Sequence, residues 1–168
     1  YASRMSWHFA ALLRWAKHIG KPHKTFGFKD AMINAAELIG RRSTFLLFDH
    51  IPHMVLRDVL EGYFTAHPEA LVNNISHRFR EPSQYNTQEL CYLLAEAQGR
   101  AVTRSNKGNY LYIYPRKKKN YIDDKINRFE SMPEAKFLCI NSLNNAEPHD
   151  VDKVLTWVKK RLGLSVCK

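Results

Sequence analysis

Residues 48–60, FDHIPHMVLRDVL, set His50 and His53 three positions apart around Pro52. Three chemistries fit that pattern. A zinc site on a helix takes ligands at i and i+3 or i+4 and needs a third and fourth close by. Proline is tolerated in the first turn of a helix, so Pro52 predicts a helix start and leaves His50 just ahead of it. The two rings then need not share a face, and beyond Asp49 no second cluster supports a metal. A structural pair on the edge of a packed helix is the plainest alternative. The third reading is an acid–base histidine at a helix N-terminus. There backbone N–H groups and the dipole attract phosphate, and an imidazole can take or give a proton.

Two further constellations carry charge. SHRFRE, residues 76–81, presents His77, Arg78 and Arg80 ahead of a turn, and arginine forks bind phosphate oxygens bidentately. Taken alone it reads first as a solvated basic turn. RKKK, residues 116–119, follows the aromatic run of Tyr110, Tyr112 and Tyr114. Stacking plus charge could hold single-stranded nucleic acid there. No zinc finger, RNA-recognition signature or glycine-rich phosphate loop accompanies it, so nucleic acid is disfavoured as a partner.

The elements that must position these groups follow from hydrophobic period. SWHFAALLRWAKHIG predicts a helix with Phe9, Leu12, Leu13 and Ala16 as its stripe, and with Trp7, Phe9 and Trp15 in the core. KDAMINAAELIGRR predicts a second helix, with Asp30 as N-cap and Gly40 near its end. STFLLF reads as a short buried strand. In the helix expected from Pro52, Val55, Val59, Leu60, Tyr63 and Phe64 form the buried face, and His67 and Pro68 end it. A short helix and a polar turn come next. NTQELCYLLAEAQGRA is a helix opened by a capping box of Asn86 and Glu89. NYLYIY and AKFLCIN read as strands around the helix YIDDKINRFESM. DVDKVLTWVKKRLG closes the chain as a helix with Asp150 as N-cap and basic residues in its last turn. The expectation is one unit, 1–168, of α/β or α+β class, mostly helical with two or three short strands.

The totals narrow the classes. At 168 residues the chain can bury a core, and 45% hydrophobic with 25% charged residues suits a globular protein. No run nears the roughly 18 apolar residues of a membrane span. A net charge of +10 calls for an anionic partner. Cys91, Cys139 and Cys167 match neither a zinc pattern nor a disulfide framework, so reduced thiols and a cytoplasmic setting are expected. The opening YASRMSWHF, with no initiator Met, reads as a fragment or a processed product.

Three stretches taken in order resemble the Stealth family of hexose-1-phosphate transferases. This family includes bacterial capsular polysaccharide phosphotransferases and the animal lysosomal-enzyme N-acetylglucosamine-1-phosphotransferase. HIPHMVLRDVLEGYFTAHPEAL is similar to its third conserved region, and SHRFRE to the His-x-x-Arg that closes that region. KFLCINS resembles the fourth region, Lys-Phe-x-Cys-(Ile/Leu)-Asn-Asp. DAMINAAELIG is similar to the segment before the third. The resemblance spans about residues 28–160 and reverses the preference for a solvated turn at Arg80.

It implies the C-terminal part of a nucleotide-sugar-transferase-like catalytic domain, with 28–101 as a helical part and 109–163 as strand-helix-strand-helix. It also implies transfer of a sugar-1-phosphate from a UDP-sugar to a glycan hydroxyl, as in capsule or surface polysaccharide synthesis. His50 matches the catalytic histidine and Arg80 the essential arginine, while Asn141, Arg78 and Asn34 become candidate substrate-binding residues. A divalent metal, magnesium or manganese, would take most of its ligands from outside this sequence, because the family's first and second regions are not in it. Cytoplasmic work, with peripheral association at the inner membrane face, suits the basic surface. Ser142 stands where the family has Asp, which leaves an inactive relative as one alternative. A non-catalytic basic module using residues 116–119 is the other.

Overall fold

The computed structural model describes residues 2–18, 27–48, 50, 52–104, 110–114 and 120–164. It contains seven α-helices and four short strands among these residues, a mixed and mainly helical architecture. The chain divides into two compact units: Tyr1–Asp49 with His53–Ser105, and His50–Pro52 with Asn106–Lys168.

The first unit opens with β1 (Ala2–Ser6), a strand that hydrophobic pattern does not announce. It exists through pairing: β1 runs antiparallel to β2 (Thr44–Phe48), with Ala2 opposite Phe48 and Ser6 opposite Thr44. Helix α1 (Trp7–His18) follows at once. Its expected stripe is a correction. Trp7 and Ala10 pack against the core, whereas Phe9, Leu12, Leu13 and Trp15 are exposed. The direct turn from β1 into α1 aims the Trp7 and Ala10 side inward, so the more apolar side is left outside.

Helix α2 (Phe28–Leu38) lays Met32, Ile33 and Ala36 on Phe45, Leu46 and Phe48 of β2. Its N-cap is Gly27. Asp30 lies at the third helical position, and its carboxylate accepts the Gly27 N–H at 2.8 Å, so the expected cap sits one turn further in. Gly40, at φ +72°, ends the helix in the left-handed conformation that glycine adopts without penalty.

Helices α3 (Arg57–Ala66), α4 (Pro68–Ile75) and α5 (Thr87–Ala97) complete the unit. Val59 is buried, and Leu60, Tyr63 and Phe64 pack on a cluster of Ala35, Tyr85 and Leu90; Val55 is exposed. Burial pushes the Tyr85 hydroxyl up to about 12, and it donates to the Ala70 carbonyl at 3.0 Å.

The capping box expected at α5 closes only halfway. The Asn86 side chain accepts the Glu89 N–H at 2.8 Å, but the Asn86 N–H is already given to the Ala31 carbonyl at 2.9 Å. The Glu89 carboxylate turns instead into the core and accepts the Leu46 N–H at 2.5 Å.

In the second unit β3 (Tyr110–Ile113), α6 (Tyr121–Glu130) and β4 (Phe137–Ile140) form a parallel βαβ unit, with Tyr112 opposite Cys139. Leu111 and Ile113 face a core of Ile122, Phe129 and Val154. Helix α7 (Pro148–Arg161) is capped by Glu147, which moves Asp150 into the first turn. Lys153 and Asp123 join it to α6 at 2.8 Å. No helix of the described residues is long and apolar enough to cross a membrane.

Candidate functional site

The carboxyl ends of parallel strands are where an α/β unit leaves backbone groups and loops available to a ligand. In the second unit that end carries Asn141 directly after β4 and Tyr112 on β3. The strand alternates: Leu111 and Ile113 point into the core, which leaves Tyr112 half-buried on the other face and Tyr114 exposed beyond it. The two tyrosine rings sit 6.1 Å apart.

His50 stacks on Tyr112, with ring centroids 4.0 Å apart and planes 17° from parallel. On the phenol's other contact, the Asn141 amide donates to the Tyr112 hydroxyl at 3.4 Å. The Asn141 N–H is held by the Ile113 carbonyl at 3.0 Å, and the Ser142 hydroxyl donates to the Asn141 side-chain oxygen at 3.2 Å. Ser142 adopts φ +58°, an uncommon conformation for a residue with a side chain, and starts a 3-10 turn over Leu143–Asn145. Two residues far apart in sequence, His50 and Asn141, therefore meet through a third.

The expected helix N-terminus at His50 is corrected. Residues 52–56 carry no helix, and α3 begins at Arg57 with Leu56 as N-cap. This stretch is drawn out along α5. The Leu56 N–H donates to the Cys91 sulfur at 3.3 Å, and the His53 ring packs 4.8 Å from Phe48 and 6.1 Å from Tyr92. His53 thus belongs with the first unit's core and His50 with the second unit. The end of the parallel strands, rather than a helix dipole, supplies the setting of His50.

Arg80, Arg78 and Asn34 belong to the first unit, whereas His50 and Asn141 belong to the second. Asn34 is spent on structure: its amide donates to the Pro82 carbonyl at 2.7 Å and the Gln84 carbonyl at 2.8 Å. Gln84 donates to the Asn74 carbonyl at 2.7 Å, and the Asn74 side chain accepts the Tyr85 N–H at 2.9 Å. The loop that carries the arginines is thereby fixed from α2 and α4. On it, Arg78 lies 5.3 Å over the Phe79 ring, and Ser83 meets His77 at 3.3 Å. Arg80 is exposed, and no carboxylate of the described residues pairs with it, so its guanidinium is available to an anion.

Glu89, expected as the capping-box partner of Asn86, is instead a buried acid. It is fully buried, its second carboxylate oxygen has no hydrogen-bond partner, and burial pushes it up to about 8 against the pull of the Leu46 N–H and Arg41. Glu96 is the opposite case. Burial works upward on it but is outweighed by hydrogen bonds from Arg41 and Thr103 and by the charge of Arg4, so it stays below the ordinary value.

Among the described residues no group of three or more His, Cys, Asp or Glu could hold a metal ion. Asn141 and Ser142 offer neutral oxygens without a carboxylate, so these residues do not by themselves make a magnesium or manganese site. The basic turn 116–119 and Cys167 lie outside the described residues. Comparison with known protein families, curated proteins and solved structures finds no match to this chain.

Proposed function

We propose that this chain contributes the acceptor-activating part of a hexose-1-phosphate transferase, acting on a UDP-sugar and a glycan hydroxyl at the cytoplasmic face of a membrane. The observation that carries the reading is the meeting of His50 and Asn141 on Tyr112, since the Stealth resemblance named the first two independently.

In the reaction the acceptor oxygen bonds to the phosphorus that bears the sugar. The bond from that phosphorus to the bridging oxygen breaks, and UMP leaves. The acceptor's proton must go somewhere, and the reading gives that task to the exposed His50 imidazole. Asn141 can hold a hydroxyl or a phosphoryl oxygen beside it. The Stealth resemblance gives Arg80 the task of offsetting negative charge on the phosphoryl oxygens, and its guanidinium has the charge and the fork for that.

The test is UMP release from UDP-sugars by the polypeptide that carries this chain. His50→Ala and Arg80→Ala should each lower kcat by about a hundred-fold or more, the scale of a lost proton acceptor or charge clamp. Near wild-type turnover in both variants would remove the assignment.

A further inference from the structure

We propose that Tyr112 is a positioning residue that fixes the His50 imidazole and the Asn141 amide relative to each other; the proposal rests on the transferase reading for what His50 then does. His50 is exposed, and among the described residues it makes no hydrogen bond or ion pair. What orients it is the phenol ring, 4.0 Å away and 17° from parallel. The backbone that carries that ring is held, because Leu111 and Ile113 on either side are buried in the core.

The same phenol ends in the hydroxyl that meets Asn141 at 3.4 Å. Asn141 is in turn tied to β3 through the Ile113 carbonyl. One side chain thus joins His50 to the end of β4. Tyr112 has two separable handles: its ring acts on His50, and its hydroxyl acts on Asn141. Neither handle touches the reacting atoms in this arrangement, so the residue acts through its neighbours.

The two handles can be cut one at a time. Tyr112→Phe keeps the stack and removes the hydroxyl, whereas Tyr112→Leu removes both. In the full polypeptide with labelled histidine, the His50 ring protons, assigned by their loss in His50→Gln, should lie upfield from the ring current. They should stay there in Tyr112→Phe and move downfield in Tyr112→Leu. Only the Asn141 side-chain amide should move in Tyr112→Phe. In turnover, Tyr112→Leu should lose between about ten- and a hundred-fold in kcat, with the donor KM within about two-fold, as expected of a misplaced catalytic group. Tyr112→Phe should recover most of that loss.

Identical His50 ring-proton positions in wild type and Tyr112→Leu overturn the proposal. So does an unchanged kcat in Tyr112→Leu. If the wild-type protein releases no UMP, the transferase reading falls, while the ring-proton comparison still decides whether Tyr112 places His50. Tyr112→Phe, which keeps the ring and its volume, guards against a result caused by misfolding.

Discussion

Glu89→Gln tests the energetic reading of the first unit. The carboxyl is fully buried, one oxygen accepts the Leu46 N–H, and the other has no partner. The charged groups that act on it are Arg41 and Glu96. Burial raises it from 4.5 to about 8, so between those values the native state keeps a proton that the unfolded chain has released. Stability must therefore fall as pH rises through that window and level off above it. At 1.36 kcal/mol per unit, the loss from pH 5 to pH 9 comes to about 4 kcal/mol, more than half of it by pH 7.

Glutamine keeps the acceptor for Leu46 and cannot ionise. Urea unfolding followed by circular dichroism at pH 5, 7 and 9 should show the variant close to wild type at pH 5 and increasingly more stable above it. Glu96, held below its ordinary value, pulls the other way, its stabilisation being lost as pH falls, and it cancels in the wild-type-minus-variant difference. A difference that stays constant from pH 5 to pH 9 would refute the reasoning.

Two local features give further expectations. Asn34→Ala removes two hydrogen bonds to the arginine loop and should cost about 1–3 kcal/mol, with faster amide hydrogen exchange across residues 81–85 as the specific sign. Ser142→Asp should be neutral within about 0.5 kcal/mol, because aspartate tolerates the left-handed conformation, whereas Ser142→Val should cost about 1–2 kcal/mol on thermal unfolding.

Local signals carried much of the fold. A period-3.6 stripe placed α5, cap and glycine signals placed α2, the apolar run placed β2, and aromatic and β-branched content placed β3. Each of those signals records burial against a neighbour that the sequence also displays. They failed where the decisive partner was distant. Ala2–Ser6 is a strand only because β2 lies beside it. The apolar side of α1 faces out because the turn after Ser6 sets its orientation. Helix α3 starts at Arg57 rather than at Pro52 because Cys91 and Tyr92 hold the preceding residues extended.

The arrangement around Tyr112 was legible in its parts but not in its joint. His50 and Asn141 were each singled out by motif, and Tyr112 was read instead with the basic turn as a stacking surface. What motifs could not give was the placement of His50 on the Tyr112 ring. The loop-holding part of Asn34 was hidden for a related reason: an asparagine that binds substrate and one that ties down a loop look alike until the loop's carbonyls are seen.

The most direct measurement of the central claim is the chemical identity of the products, followed by phosphorus NMR on the polypeptide that carries this chain, supplied with a UDP-sugar and a glycan acceptor. One equivalent of UMP should form for each new phosphodiester between sugar and acceptor, both lost in His50→Ala. UDP released together with a glycoside bond and no phosphodiester would contradict that claim.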